Sequence, residues 1–173
     1  MRNGRRLGPL VIDHPPRCLA PFVVSPQQTG SDQTVRFKLA SPSGQAAGSL
    51  FGSDLSSLNP EYAGEMQFVS PLSILWPGDS VATPLLDTEI HGYIGELHDS
   101  AKLRGSGNPD TYACAACGGH AFWFEVTLHY WDATYELWDE EPSIAIQDYF
   151  NLFTLVAICT GCRRPHNASE MDL

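Results

Sequence analysis

Residues 112–131 read YACAACGGHAFWFEVTLHYW, and residues 156–164 read VAICTGCRR. Each stretch joins a Cys-x-x-Cys pair to a run with strand character. After the first pair, Phe122, Phe124, Val126, Leu128 and Tyr130 recur at every second position, with Trp123, Glu125, Thr127, His129 and Trp131 between them. A period of two puts alternate side chains on opposite faces, so this run predicts a β-strand with one apolar face. Before the second pair, YFNLFTLVAI (149–158) is almost continuously apolar, the pattern of a buried strand. Antiparallel pairing of the two strands, one leaving a Cys pair and one arriving at the other, would gather four sulfurs in one place.

Working outward, DATYELWDEEPS predicts an acidic insertion over 132–148, with TYELW as the return arm of a hairpin. On the N-terminal side, TVRFKLA alternates: Val35, Phe37 and Leu39 on one face, Arg36 and Lys38 on the other, a half-buried strand. SPSGQAAGS reads as a loop, SDLSSLNPE as a short helix stopped by Pro60, and GEMQFVS as another strand. Gly92 and Gly95 inside EIHGYIGELHD favour a twisted or bulged strand. Five prolines between Pro9 and Pro26 predict an irregular first thirty residues. Gly105-Ser106-Gly107-Asn108-Pro109 is the clearest linker.

The expected organisation is therefore a β-rich part over 1–103, a linker at 104–110, and a part over 111–173 that carries the cysteines, the whole packed as one unit. The fold class is mainly β, or α+β with little helix. Thirteen prolines and fifteen glycines punctuate the chain too often for a bundle of long helices.

Structural zinc takes four soft donors at tetrahedral corners, and a Cys-x-x-Cys turn supplies two of them from one tight loop. Cys114-Ala-Ala-Cys117-Gly-Gly and Cys159-Thr-Gly-Cys162 both have that form. A redox Cys-x-x-Cys usually stands alone at the start of a helix, where the dipole lowers the thiol pKa; both pairs here flank strands. Four thiolates also suit iron. Residues 112–164 resemble a zinc ribbon, a small β-module with a metal knuckle at each end of a strand pair. That resemblance implies Cys114, Cys117, Cys159 and Cys162 as ligands of one structural Zn2+. The chain departs from the commoner pattern in its spacing: residues 118–158 separate the pairs, against about 15–20 residues in ordinary four-cysteine sites. Four thiolates leave no coordination position for water, which points to a clip rather than a catalytic metal. The fifth cysteine, Cys18, reads as a buried free thiol.

Net charge is −10 and unevenly spread: residues 1–60 carry six Lys/Arg against three Asp/Glu, and residues 114–173 two against nine. Acidic surfaces repel phosphate backbones and suit a protein partner with a basic surface. No small-molecule substrate is evident, and no nucleophile elbow, phosphate loop or His-Glu-x-x-His occurs. The apolar run LGPLVI, ended by Asp13 and Pro15-Pro16, is too short for a signal-peptide core. No stretch approaches the roughly 20 apolar residues of a membrane helix. These features predict a soluble, cytoplasmic chain.

Glu89, His91, Glu96, His98 and Asp99 imitate a metal or acid–base cluster, but on a strand His91 and His98 face opposite ways, and local hydrogen bonding accounts for them. Arg163 and Arg164 are expected to offset the thiolates and pair with Asp139, Glu140 and Glu141. His120 is an available but unneeded substitute ligand. Trp123 and Trp131 are expected in the core; if open, they and Asp139, Glu140 and Glu141 are the candidates for a partner surface. The expected function is a non-enzymatic, zinc-stabilised protein-binding domain: an accessory subunit, or an inhibitor such as an immunity protein. The alternatives are a nucleic-acid-associated ribbon and a thiol oxidoreductase.

Overall fold

All four inward positions of the strand Phe122–His129 are 1% exposed or less, and the positions between them are half-buried. This strand, β7 of a computed structural model that describes residues 6–93 and 101–173, lies in the middle of the fold. Strands β1 (Val23–Gln27), β2 (Thr34–Ala40), β3 (Ala47–Asp54), β4 (Phe68–Leu75), β5 (Thr83–Leu86) and β6 (Asp110–Thr111) precede it; β8 (Leu152–Cys159) and β9 (Pro165–Asp172) follow. The protein is mainly β and the pairing antiparallel throughout these strands.

One edge of β7 is taken entirely by β8, from Phe122↔Cys159 to His129↔Leu152. Its other edge is shared. β2 covers Phe124 to His129, and after a turn the chain returns as β3 to cover Phe122 and Trp123. β3 then departs to pair with β4 and β6, so the sheet curls at this crossing. Gly48 permits it: a Cβ there would lie 2.9 Å from Ile74 Cγ2, Leu75 O and Trp76 Cε3, closer than packed atoms approach. The enclosed core is aromatic. Trp76, 1% exposed, meets Phe22 and Phe124 edge-on at centroid distances of 6.3 and 6.2 Å.

Several readings are corrected. The segment TYELW is no hairpin arm but lies in helix α3 (Asp132–Glu140). Its shielded residues include Thr134, Leu137 and Trp138, spaced at three and four, and Asp132 sits in the first turn where the helix dipole favours an acid. The proline-rich start contains helix α1 (Leu7–Asp13) and edge strand β1. Pro9 falls in the first turn of α1, where no N–H is required, and Pro26 on a sheet edge, where none is missed. Residues 87–93 form turns rather than a strand, closed by His91 N–H to Asp87 O at 2.9 Å and Tyr93 N–H to Thr88 O at 2.8 Å. Gly95, Glu96, His98 and Asp99 lie outside the described residues. The sequence reading missed β9, which lines the far edge of β8 from Leu152↔Asp172 to Ile158↔Pro165. Residues 55–58 form the short helix α2 (Leu55–Leu58) expected there, capped by the Asp54 side chain. No helix among the described residues is long and apolar enough to cross a membrane.

Candidate metal centre

The first cysteine loop is anchored from below. Tyr112, 2% exposed, packs edge-on against Phe68 and Phe122 and donates its hydroxyl to Met66 O at 3.1 Å. Its N–H donates to Leu50 O at 2.9 Å, tying the chain to β3 two residues before Cys114. The loop then closes on itself: Gly118 N–H donates to Cys114 O and Cys114 N–H to Gly119 O, both at 2.8 Å. Gly118 has φ +71, the left-handed conformation that glycine adopts without strain.

The second loop repeats this pattern at the end of β8. Arg163 N–H donates to Cys159 O at 2.9 Å, and Cys159 N–H to Arg164 O at 3.0 Å. Arg163 occupies the place of Gly118 and holds φ 64, a non-glycine residue in the left-handed region. Its guanidinium lies over the Trp123 ring at 4.6 Å, a cation–π contact on the outer face of the sheet. Because Phe122 pairs with Cys159, the β7–β8 register brings the two loops face to face.

The Sγ atoms of Cys114, Cys117, Cys159 and Cys162 all lie within 4.8 Å of one another. Cys114–Cys162 and Cys117–Cys159 are each separated by 3.5 Å. A tetrahedral ion with bonds of about 2.3 Å to sulfur needs its ligands about 3.8 Å apart. The spacing therefore fits a single metal ion of that size, and four soft thiolates suit zinc or iron. Cys114 and Cys159 are buried while Cys117 is exposed, so the site opens to solvent on one side.

Backbone N–H groups favour the thiolate at the first cysteine of each loop. Cys159 is drawn down to about 6, led by the Cys162 N–H, with the Gly161 N–H adding to it and burial opposing. Burial pushes Cys114 up, but the N–H groups of Ala116 and Cys117 and the neighbouring sulfurs outweigh it, and its pKa is lowered. At Cys117 the Gly119 N–H favours the thiolate, yet the hydrogen bonds shared with Cys159 and Cys114 prevail and lift it to about 11. The sulfurs thus share protons in the absence of an ion, and a divalent cation would displace them.

The other singled-out residues that the structure describes do not join the cluster. His120 Nδ1 lies 3.0 Å from Tyr112 O, a contact that secures the loop. Trp123 is half-buried under Arg163, and Trp131, 51% exposed, caps α3 instead of continuing β7; neither is in the core. Asp139, Glu140 and Glu141 are exposed at the C-terminal end of α3, and Arg163 stacks on Trp123 rather than reaching them. Cys18 is 1% exposed and its thiol is pushed up to about 12, chiefly by burial, as an inert core thiol should be. His91 Nδ1 accepts from Asp87 N–H at 3.0 Å and Glu89 pairs with Arg104 at 3.1 Å, local partners and not a metal site.

One neighbour of the sulfurs was missed. His166 Nε2 lies 3.1 Å from Cys114 Sγ. The available signal was its position four residues after Cys162, which matters only once β9 is known to turn back beside β8. Comparisons with family models, with curated proteins and with solved structures return no match.

Proposed function

We propose that this chain is a non-enzymatic protein-binding domain whose fold is clipped by one structural zinc ion, in the manner of a zinc ribbon. The observation that carries the reading is the convergence of four sulfurs at tetrahedral spacing from two matched loops. Four thiolates complete zinc's coordination, so the ion holds β7 and β8 together and has no position for a substrate. The working surface then lies elsewhere on the fold that the clip stabilises.

The acidic end of α3 is the favoured part of that surface. Asp139, Glu140 and Glu141 crowd a helix C-terminus, where the macrodipole is already negative and no basic residue occupies the last turn. A basic partner surface would relieve that repulsion, and exposed Trp131 at the other end of the helix offers an apolar anchor. An accessory subunit and an inhibitor of a basic protein both fit this chemistry. The test is purification from the native source with zinc quantified and any stoichiometric partner identified. Reversing charge at Asp139, Glu140 and Glu141 to lysine should release that partner while zinc stays bound. A partner retained by the reversed variant would refute the acidic surface.

A second reading, a nucleic-acid-associated ribbon, draws on the outer sheet face. Lys38 on β2 and Arg163 over Trp123 on β7 border a shallow cavity of about 310 Å³ lined also by Ile158, with Arg36 two residues away along β2. Glu125 lies within it and the net charge of −10 opposes it. Retention on single-stranded nucleic acid that weakens with salt would favour this reading; elution in the void at low salt would remove it.

A further inference from the structure

We propose that His166 serves the metal centre without ligating the ion: its Nε2–H donates a hydrogen bond to the Cys114 thiolate. The inference rests on the metal reading above and adds a residue outside the four-cysteine set. A metal-bound thiolate has no proton to give, so across the 3.1 Å Nε2–Sγ contact the imidazole must be the donor, which places a proton on Nε2. The four sulfurs, within 4.8 Å of one another, would complete a tetrahedral shell about one ion, leaving the ring to act on a sulfur.

The position is built into the fold. His166 pairs with Ala157 across the β8–β9 ladder, two residues from Cys159, so the backbone that carries a ligand also carries the donor. Its ring lies against Tyr112 and Phe122, each at a centroid distance of 6.4 Å, and both contacts are edge-type. Tyr112 is also the residue that anchors the first cysteine loop, so the ring and the sulfur are held by one support.

The arrangement is asymmetric. Cys114 and Cys159 each receive two backbone N–H groups from their own loops. Among the described residues Cys114 alone has an imidazole added, whereas His120, which follows the first pair, turns to the Tyr112 carbonyl. Four thiolates on a divalent ion leave a charge of −2, and a third donor on buried Cys114 disperses part of it where water cannot. Cys114 should therefore be the least reactive sulfur of the four.

The test uses the full chain with zinc competition against a chromophoric chelator, cobalt(II) absorption, and NMR of the cadmium-113 form. Wild type should hold one ion, show a four-sulfur cobalt spectrum, and give scalar coupling between the His166 Nε2 proton and cadmium through the hydrogen bond. His166→Phe, which keeps an aromatic ring and loses the donor, should bind zinc about 10–100-fold more weakly and move the cobalt charge-transfer band to lower energy. His166→Gln, with an amide N–H, should recover part of the affinity. Full stoichiometry with unchanged affinity and band position in His166→Phe would overturn the inference and leave the metal reading standing. So would a wild-type cobalt spectrum with a nitrogen ligand. A wild-type chain that binds no ion would overturn both. The coupling in wild type decides the matter should the variants fail to fold.

Discussion

Arg163 shows how much one residue of a cysteine loop can carry. Its left-handed backbone costs it what glycine would not pay, and the stacking on Trp123 offsets part of that cost. Arg163→Gly should therefore be about 1 kcal/mol more stable than Arg163→Ala, which keeps the strain and loses the stack. Thermal unfolding of the two variants checks the order; equal midpoints would show that the left-handed geometry is not strained. At this scale the sequence is most informative where chemistry is local. Cys-x-x-Cys announces its own loop, so Cys114, Cys117, Cys159 and Cys162 were legible without a fold. His166 was not, because its partner is 52 residues away and only strand pairing brings them together. Trp131 was misassigned because alternation continues in the letters after β7 has ended at His129.

Among the elements, β3 carries the most constrained geometry, since it belongs to β7 at one end and to β4 at the other. Gly48→Ala would press a methyl group onto Leu75 O and the Trp76 ring, and should destabilise the protein by about 1–3 kcal/mol in denaturant unfolding. The turn after β5 is fixed by a forked pair: Arg104 Nε to Asp87 Oδ1 at 3.0 Å and Arg104 Nη2 to Asp87 Oδ2 at 3.1 Å. Hydrogen bonding from Arg104 holds the Asp87 carboxyl below its ordinary value. A carboxyl whose folded pKa is depressed contributes stability above its unfolded value of about 4 and loses it as pH falls through the folded one. Asp87→Asn should thus lower stability at neutral pH and leave the protein with a shallower loss of stability below pH 4. An unchanged acid limb would contradict the assignment. Alternation made β2 and β7 readable because one face of each is core and the other is not. It failed for β9, where PHNASEMD buries Ala168, Ser169 and Met171 around a register shift opposite Leu155 and Val156. It also misread α3, whose short segment TYELW satisfies a period of two as well as one of three to four.

For the molecule as a whole, the proposed clip and the acidic helix are set well apart. The cysteine loops close one end of the β7–β8 pair, and the acidic helix α3 leaves its opposite end, near His129. Removing the ion should loosen the loops and Tyr112 with them, since each loop is closed mainly by its own hydrogen bonds and the shared sulfurs. Chelation is expected to lower the thermal midpoint by on the order of 10 °C and to be reversed by zinc. Composition made the acidic balance and the β-rich class plain, but not which surface is presented, because that depends on where α3 packs. The central claim is that four cysteines hold one ion. It is tested most directly by titrating cobalt(II) into the metal-free full chain and following the thiolate charge-transfer absorption. Saturation at one ion per chain with a tetrahedral four-sulfur spectrum, lost in Cys159→Ser, is the predicted result. Absence of saturable binding, or a spectrum indifferent to Cys159→Ser, would contradict it.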